Sequence, residues 1–282
     1  MTATAAVAAQ APPCPDAAIT LDHLSWSGIQ MYKQCSRKFY FHYIEKAPKE
    51  FVPSALAFGG AFHLAIEVIQ EARIEGAAIP PLDRLISRYE AGWKENVAGA
   101  PEVMFGKTDD EGTLRELATR MLAAYREFVV QNAPASDPAR IIAIEHQDRF
   151  NLLADVPPFE ARMDLVEVSG PDLIVTDFKT SKSRWNETTI REHVPQLTLY
   201  SHAVLNMVRE LGVKRIVPRF VVITKAKKPV VQVIEPKLCQ DDATRLKQQV
   251  AEVWTAIQKK MFLPHEGWQC SQCPFRRRCL GS

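Results

Sequence analysis

The chain has 282 residues, 46% of them hydrophobic and 24% charged, with a formal net charge of +2, the profile of an ordinary globular protein able to bury a sizeable core. So balanced a charge excludes a wholly basic nucleic-acid surface and leaves only local patches: TKAKKP (224–229), the group Lys179, Lys182 and Arg184, and Arg276 to Arg278. No window reaches the ~18 apolar residues of a membrane span, and a cytoplasmic location is expected, where six cysteines are read as free thiols or metal ligands rather than disulfides.

Residues 1–20 are dominated by Ala, Pro and Thr and contain no Lys or Arg. That composition argues against a signal peptide or basic transit sequence, and a disordered tail is expected. One domain is expected from residue 21 to 282. Ser25 or Ser27 can cap a helix through the aromatic-rich run GIQMYKQCSRKFYFHYIEK. Gly59 and Gly60 precede a second helix, AFHLAIEVIQEARIEG, whose apolar residues recur at helical spacing. Residues 81–98 and 114–133 read as two further helices around the polar loop GAPEVMFGKTDDEGT.

The pattern changes after Pro138. ARIIAIEHQDRFNLL reads as a strand, and so do residues 215–224 and 230–236. Pro195 is expected to open a helix through QLTLYSHAVLNMVREL, and a last helix is expected over roughly 240–261. The sum is an α/β domain with a central mixed sheet flanked by helices. No GxxxxGK[ST] phosphate loop is present, which excludes an ATPase motor in this chain.

Between these strands lie ARMDLVEV (161–168) and LIVTDFKTSK (173–182), joined by Ser169, Gly170, Pro171 and Asp172. Two β-branched runs around a Gly-Pro turn predict an antiparallel hairpin. A turn centred between Gly170 and Pro171 sets Asp164 opposite Asp177, and Lys179 points to the same face because strand side chains alternate. A slip of one residue would turn Asp164 away. Like charges opposite one another destabilise a sheet, so two facing carboxylates call for a cation. Mg²⁺ or Mn²⁺ suits them, with substrate phosphate completing the shell, and the implied chemistry is phosphodiester hydrolysis. Glu145, on the preceding strand, offers a further carboxylate.

Cys270, Cys273 and Cys279 crowd the end of the chain as CSQCPFRRRC. A CxxC with a third cysteine nearby is metal-ligand spacing, with zinc and an iron-sulfur cluster both open. The fourth ligand is to be found among Cys14, Cys35, Cys239 and His265.

Taken in order, LSWSGIQMYKQCSRKFYF, FGGAFHLAIE, RMDLVEV, VTDFKTSK, PQLTLYSHA and CxxCPFRRRC make the chain resemble the RecB-like branch of the PD-(D/E)XK nucleases. Within that branch it resembles in particular the iron-sulfur members, the AddB nuclease domain and the CRISPR-associated RecB-like exonucleases. The resemblance runs from about Leu24 to Cys279. It implies a restriction-endonuclease-like core, with residues 80–133 as a helical insertion. It further implies that His63, Asp164, Asp177 and the carbonyl of Phe178 bind the catalytic Mg²⁺ or Mn²⁺, that Lys179 serves the attacking water, and that Gln196 and Tyr200 support the site. It implies, too, that Cys35, Cys270, Cys273 and Cys279 hold a 4Fe-4S cluster, with zinc as the alternative. The expected partners are DNA, single-stranded or as duplex ends, and CRISPR adaptation or recombination proteins. The expected activity is a metal-dependent deoxyribonuclease, exonucleolytic in mode, in repair, recombination or spacer acquisition. The alternative is a catalytically silent nuclease fold that binds DNA or protein within a larger complex.

Overall fold

A computed structural model describes residues 18–132 and 140–281. Most of the expected tail, and Cys14 with it, lies outside the described residues. Helix α1 (Trp26–Gln34) starts where Ser25 accepts the amide of Gly28, as a Ser N-cap should. It breaks at Cys35, whose extended backbone (φ −164°) begins α2 (Ser36–Phe39), prolonged by a π-helical turn over Tyr40–Ile44. The aromatic segment is therefore two helical pieces hinged at a cysteine, where one helix was expected.

Strand β1 (Val52–Pro53) pairs in parallel with β2 (Val103–Met104), a two-residue strand inside the segment read as a loop. Between them run α3 (Ser54–Ile74) and α4 (Leu82–Val97), followed by α5 (Glu111–Gln131), whose capping box is built by Asp110 and Thr113. Helix α3 begins five residues before Gly59, so both glycines lie within it and do not precede it.

The sheet has the order β3-β4-β5-β6-β7. Its strands are β3 (Arg140–Phe150), β4 (Phe159–Ser169), β5 (Asp172–Ser181), β6 (Arg215–Thr224) and β7 (Val231–Ile234). β5 and β6 are parallel and every other pair is antiparallel, which makes the sheet mixed. The parallel pair requires a crossover, supplied by α6 (Glu187–Ala203) and α7 (Leu205–Leu211). Helix α6 starts at an Asn186 cap and carries Pro195 in its interior. The expectation that Pro195 opens this helix fails because Asn186, nine residues earlier, supplies the stronger start signal as its N-cap.

One face of the sheet, through Leu165, Phe178, Val221 and Ile223, packs into a core with Phe58, Phe62, Met121 and Leu122 of α3 and α5. The other face, through Met163, Val175, Phe220 and Val222, packs against Leu197, Tyr200 and Val204 of the crossover. A third cluster joins α1 and α2 to α8 (Gln240–Gln258) through Ile29, Phe39, Leu246 and Val250. The chain closes with a 3₁₀ turn at Trp268–Gln272 and the short α9 (Arg276–Leu280). Each buried Leu, Ile or Phe in these clusters contributes roughly 1.5–3 kcal/mol by leaving water. The strands that carry the acidic residues are thus held from both sides.

Candidate active site

The hairpin forms in the register that its turn dictates. Pairs run from Leu165 with Thr176 to Ser169 with Asp172, and Gly170 takes the left-handed conformation (φ 53°) the turn requires. The ladder ends at Leu165 with Thr176, one residue short of Asp164 and Asp177, and the Phe178 amide donates to Asp164 Oδ2 at 2.6 Å. The Phe178 ring is spent on the core, edge-on to Tyr125, and its carbonyl lies on the strand between Asp177 and Lys179.

Asp177 is 2% exposed. Lys179 Nζ stands 2.7 Å from its Oδ2. Its Oδ1 accepts from Gln196 Nε2 at 2.9 Å and from the Tyr200 hydroxyl at 3.2 Å, while the same Gln196 nitrogen also donates to the Tyr200 oxygen at 2.7 Å. Gln196 and Tyr200 are one turn apart on α6, so the helix presents both to one carboxylate. Burial, with Asp177 close by, pushes the Tyr200 phenol well above its ordinary value. It therefore stays protonated and acts as a donor.

His63 reaches the hairpin from α3, with Nδ1 3.6 Å from Asp164 Oδ1. Burial disfavours its charged form, but the hydrogen-bonding and charge of Asp164 outweigh burial and hold the imidazole above its usual pKa. Asp164 moves the opposite way. Burial raises it, yet His63, Lys179 and the Phe178 amide together hold it below the usual carboxylate range. Asp177 is raised, first by burial and then by Asp164, against the pull of Lys179.

Among the described residues, one group offers ligand atoms all within 4.8 Å of one another: His63, Glu145 and Asp164. Such a set of one imidazole and two carboxylates suits a divalent cation. Asp177 lies outside this group, held by Lys179, Gln196 and Tyr200. Glu145 falls opposite Asp164, between the pairs Ile144 with Leu165 and His146 with Met163, and it adopts a left-handed backbone (φ 49°) rare for a residue with a side chain. Arg162 Nε donates to its Oε2.

Glu67, one turn beyond His63 on α3, was missed from the sequence. Burial first, and Glu145 second, raise its carboxyl to about 7. The i, i+4 spacing from His63 was the available signal. All these side chains line one cavity with Gly59, Leu56 and Asn96.

A separate cavity is lined by Cys35, Cys270, Cys273 and Cys279 with His265, Arg37 and Lys38. The backbone amide of His265 approaches Cys35 Sγ at 3.4 Å. Cys239 is instead exposed at the start of α8, where its thiol faces Asp242.

Residues 23–280 match the family described as the PD-(D/E)XK nuclease superfamily. The chain belongs to that superfamily. Membership makes this PD-(D/E)XK protein a hydrolase that acts on nucleic acid, in a superfamily that generally uses divalent metals, and its sheet and flanking helices are the restriction-endonuclease-like fold. No curated protein matches the chain. Among solved structures, it is similar to a "putative exonuclease" from Eubacterium rectale, with TM-score 0.53 and 13% identity over 91% of this chain and 88% of that one. A second, SSO0001, has TM-score 0.32 and 14% identity over 87% of this chain and 92% of the other, too loose a likeness to use. No helix among the described residues is long and apolar enough to cross a membrane.

Proposed function

We propose that this PD-(D/E)XK protein is a Mg²⁺- or Mn²⁺-dependent deoxyribonuclease that cuts phosphodiester bonds in the cavity between α3, the β4–β5 hairpin and α6. The observation that carries the reading is the convergence of Asp164, Asp177, Lys179 and His63 in one cavity, with Gln196 and Tyr200 fixing the more deeply buried acid.

The residues fit a divalent cation: His63, Asp164 and Glu145 supply the close-set donors, and Asp177 and the carbonyl of Phe178 complete the set implied by the family likeness. A bound cation supplies Lewis-acid stabilisation of charge on the phosphate oxygens. The chain's own residues do the rest. Gln196 and Tyr200 keep Asp177 Oδ1 from rotating. Lys179 neutralises Asp177 before substrate arrives and stands ready to orient the attacking water or offset charge on the phosphate. The Phe178 amide fixes Asp164 Oδ2, which leaves Oδ1 for the cavity.

We assign Cys35, Cys270, Cys273 and Cys279 to a 4Fe-4S cluster, in preference to zinc. One feature supports a shared metal centre there: all four line a single cavity. The cluster's role is structural, tying α1 and α2 to the end of the chain. An exonucleolytic mode on single-stranded DNA or duplex ends, a cytoplasmic setting, and work alongside CRISPR adaptation or recombination proteins are parts of the same proposal.

The test is incubation of labelled single- and double-stranded DNA with the protein and Mn²⁺. Cleavage by wild type, lost in Asp177→Ala and Lys179→Ala, is expected. No cleavage by wild type, or equal cleavage by the variants, sinks the proposal and leaves a silent binding module.

A further inference from the structure

The side of α3 that opens into the active-site cavity contains a glycine which the fold does not require. Gly59 lies inside α3, one turn before His63, at a position where glycine is a poor helix former. A Cβ built there meets no atom within 4 Å, and Gly59 is not among the glycines with positive φ. Neither packing nor backbone conformation explains it. Gly60 is different, since a Cβ there would stand 2.9 Å from Asn96 Oδ1. Gly59 nonetheless lines the cavity that holds His63, Asp164, Asp177 and Lys179. Leu56, three residues earlier on the same helix face, lines it as well and is 64% exposed. Into the same cavity faces the 2%-exposed Asp177, whose Oδ2 has no directed hydrogen bond and only the Lys179 ammonium beside it.

We propose that Leu56 and Gly59 form the surface on which the substrate strand lies as it enters the site. Bare helix backbone at Gly59 lets a sugar approach the main chain closely, and Leu56 packs against the apolar face of that sugar or its base. At ~1.5 Å of rise per residue, Gly59 and Leu56 stand roughly 6 and 10 Å from His63 along the helix. At ~3.4 Å per stacked nucleotide, that is two to three nucleotides from the scissile phosphate. The occupant is a nucleic-acid strand because the surface is continuous with the acid and lysine cluster. In that respect the inference rests on the nuclease reading.

Three variants test it: Gly59→Ala, Gly59→Gln and Leu56→Ser. Binding is read by fluorescence anisotropy of labelled single-stranded and duplex-ended oligodeoxynucleotides with Ca²⁺, cleavage is read separately with Mn²⁺, and folding by thermal denaturation. Gly59→Ala should raise the Tm by about 2 °C through helix propensity and yet weaken DNA binding. Gly59→Gln should weaken binding by about tenfold, the loss of one good packing contact, and Leu56→Ser by less, with Mn²⁺ affinity unchanged in all three. Wild-type DNA binding by both Gly59 variants overturns the proposal, as does a lowered Tm in Gly59→Ala, which would make the glycine structural. If the variants weaken binding while wild type cuts nothing, the surface stands and the nuclease reading falls. If wild type cuts but the variants bind and cut equally well, the reverse holds. Failure of wild type to bind either DNA overturns the surface.

Discussion

Glu145 and Asp164 bring carboxylate oxygens within 4.8 Å of each other across the β3–β4 ladder, and Glu145 does so from a left-handed backbone. Left-handed geometry costs a non-glycine residue roughly 1–2 kcal/mol, so the position trades stability for a placed carboxylate. Glu145→Gly should raise thermal stability by about 1 kcal/mol and weaken Mn²⁺ binding measured by calorimetry. A variant that is neither more stable nor weaker in metal binding removes Glu145 from the site.

Glu67 makes metal-free stability depend on pH. Its folded-state pKa, about 7, lies above the ordinary value of 4.5, so the folded protein binds the extra proton. Stability from this group is therefore present at low pH and is lost as pH rises from about 4.5 through about 7. A divalent cation replaces the proton. The stabilisation that Mn²⁺ adds should be larger at pH 8 than at pH 5.5, and Glu67→Gln should flatten the metal-free profile in thermal scans at those two pH values.

Tyr200→Phe removes one of the two donors to Asp177 Oδ1 and leaves Gln196 in place. The loss should be about 1 kcal/mol of stability, the usual net worth of a hydrogen bond, with nuclease turnover reduced and not abolished. Gln196→Ala should cost more turnover, because it frees both partners at once. Equal turnover in Tyr200→Phe and wild type would make the phenol a packing residue only.

Away from the cavity, Arg73 ties α3 to β4 through Glu167 at 2.6 Å and accepts no solvent substitute, since the Glu167 side chain is only 5% exposed. Arg73 also donates to Gln70, which donates in turn to the Tyr125 hydroxyl on α5. Arg73→Met strands a buried carboxylate and should cost about 3 kcal/mol by chemical denaturation. The double variant Arg73→Met with Glu167→Leu should recover much of that loss.

Cys35→Ser should leave the purified protein without visible absorbance, iron or sulfide, and should lower the Tm. A colourless wild type that contains zinc would replace the cluster assignment with a zinc site.

The hairpin register was legible because a Gly-Pro turn fixes which residues oppose each other, from Leu165 with Thr176 to Ser169 with Asp172; Asp164 and Asp177 lie just past the end of that ladder. The cysteine set was legible only in part: spacing grouped Cys270, Cys273 and Cys279, but Cys35 meets them through packing of α1 and α2 on α8. Helix starts were misread where glycine and proline were taken at face value. Gly59, Gly60 and Pro195 all lie inside helices that begin earlier, α3 at Ser54 after Pro53 with no side-chain cap, and α6 at the Asn186 cap. Glu145 could not be placed because a bulge between Ile141 and Ala143 shifts the β3 register, and no pattern of apolar residues announces it. Glu67 was hidden by an apolar helix pattern that absorbs one acid without visible disruption.

The parallel pairing of β5 with β6 sets the timing of the site. Asp164 and Asp177 come from the two strands of one hairpin, but Gln196 and Tyr200 come from the crossover and His63 from a helix far earlier in the chain. Non-local closure of this kind is slow. Refolding that restores helical content first and cleavage last would follow from the connectivity alone, and the recovery of activity then clocks the completion of the sheet.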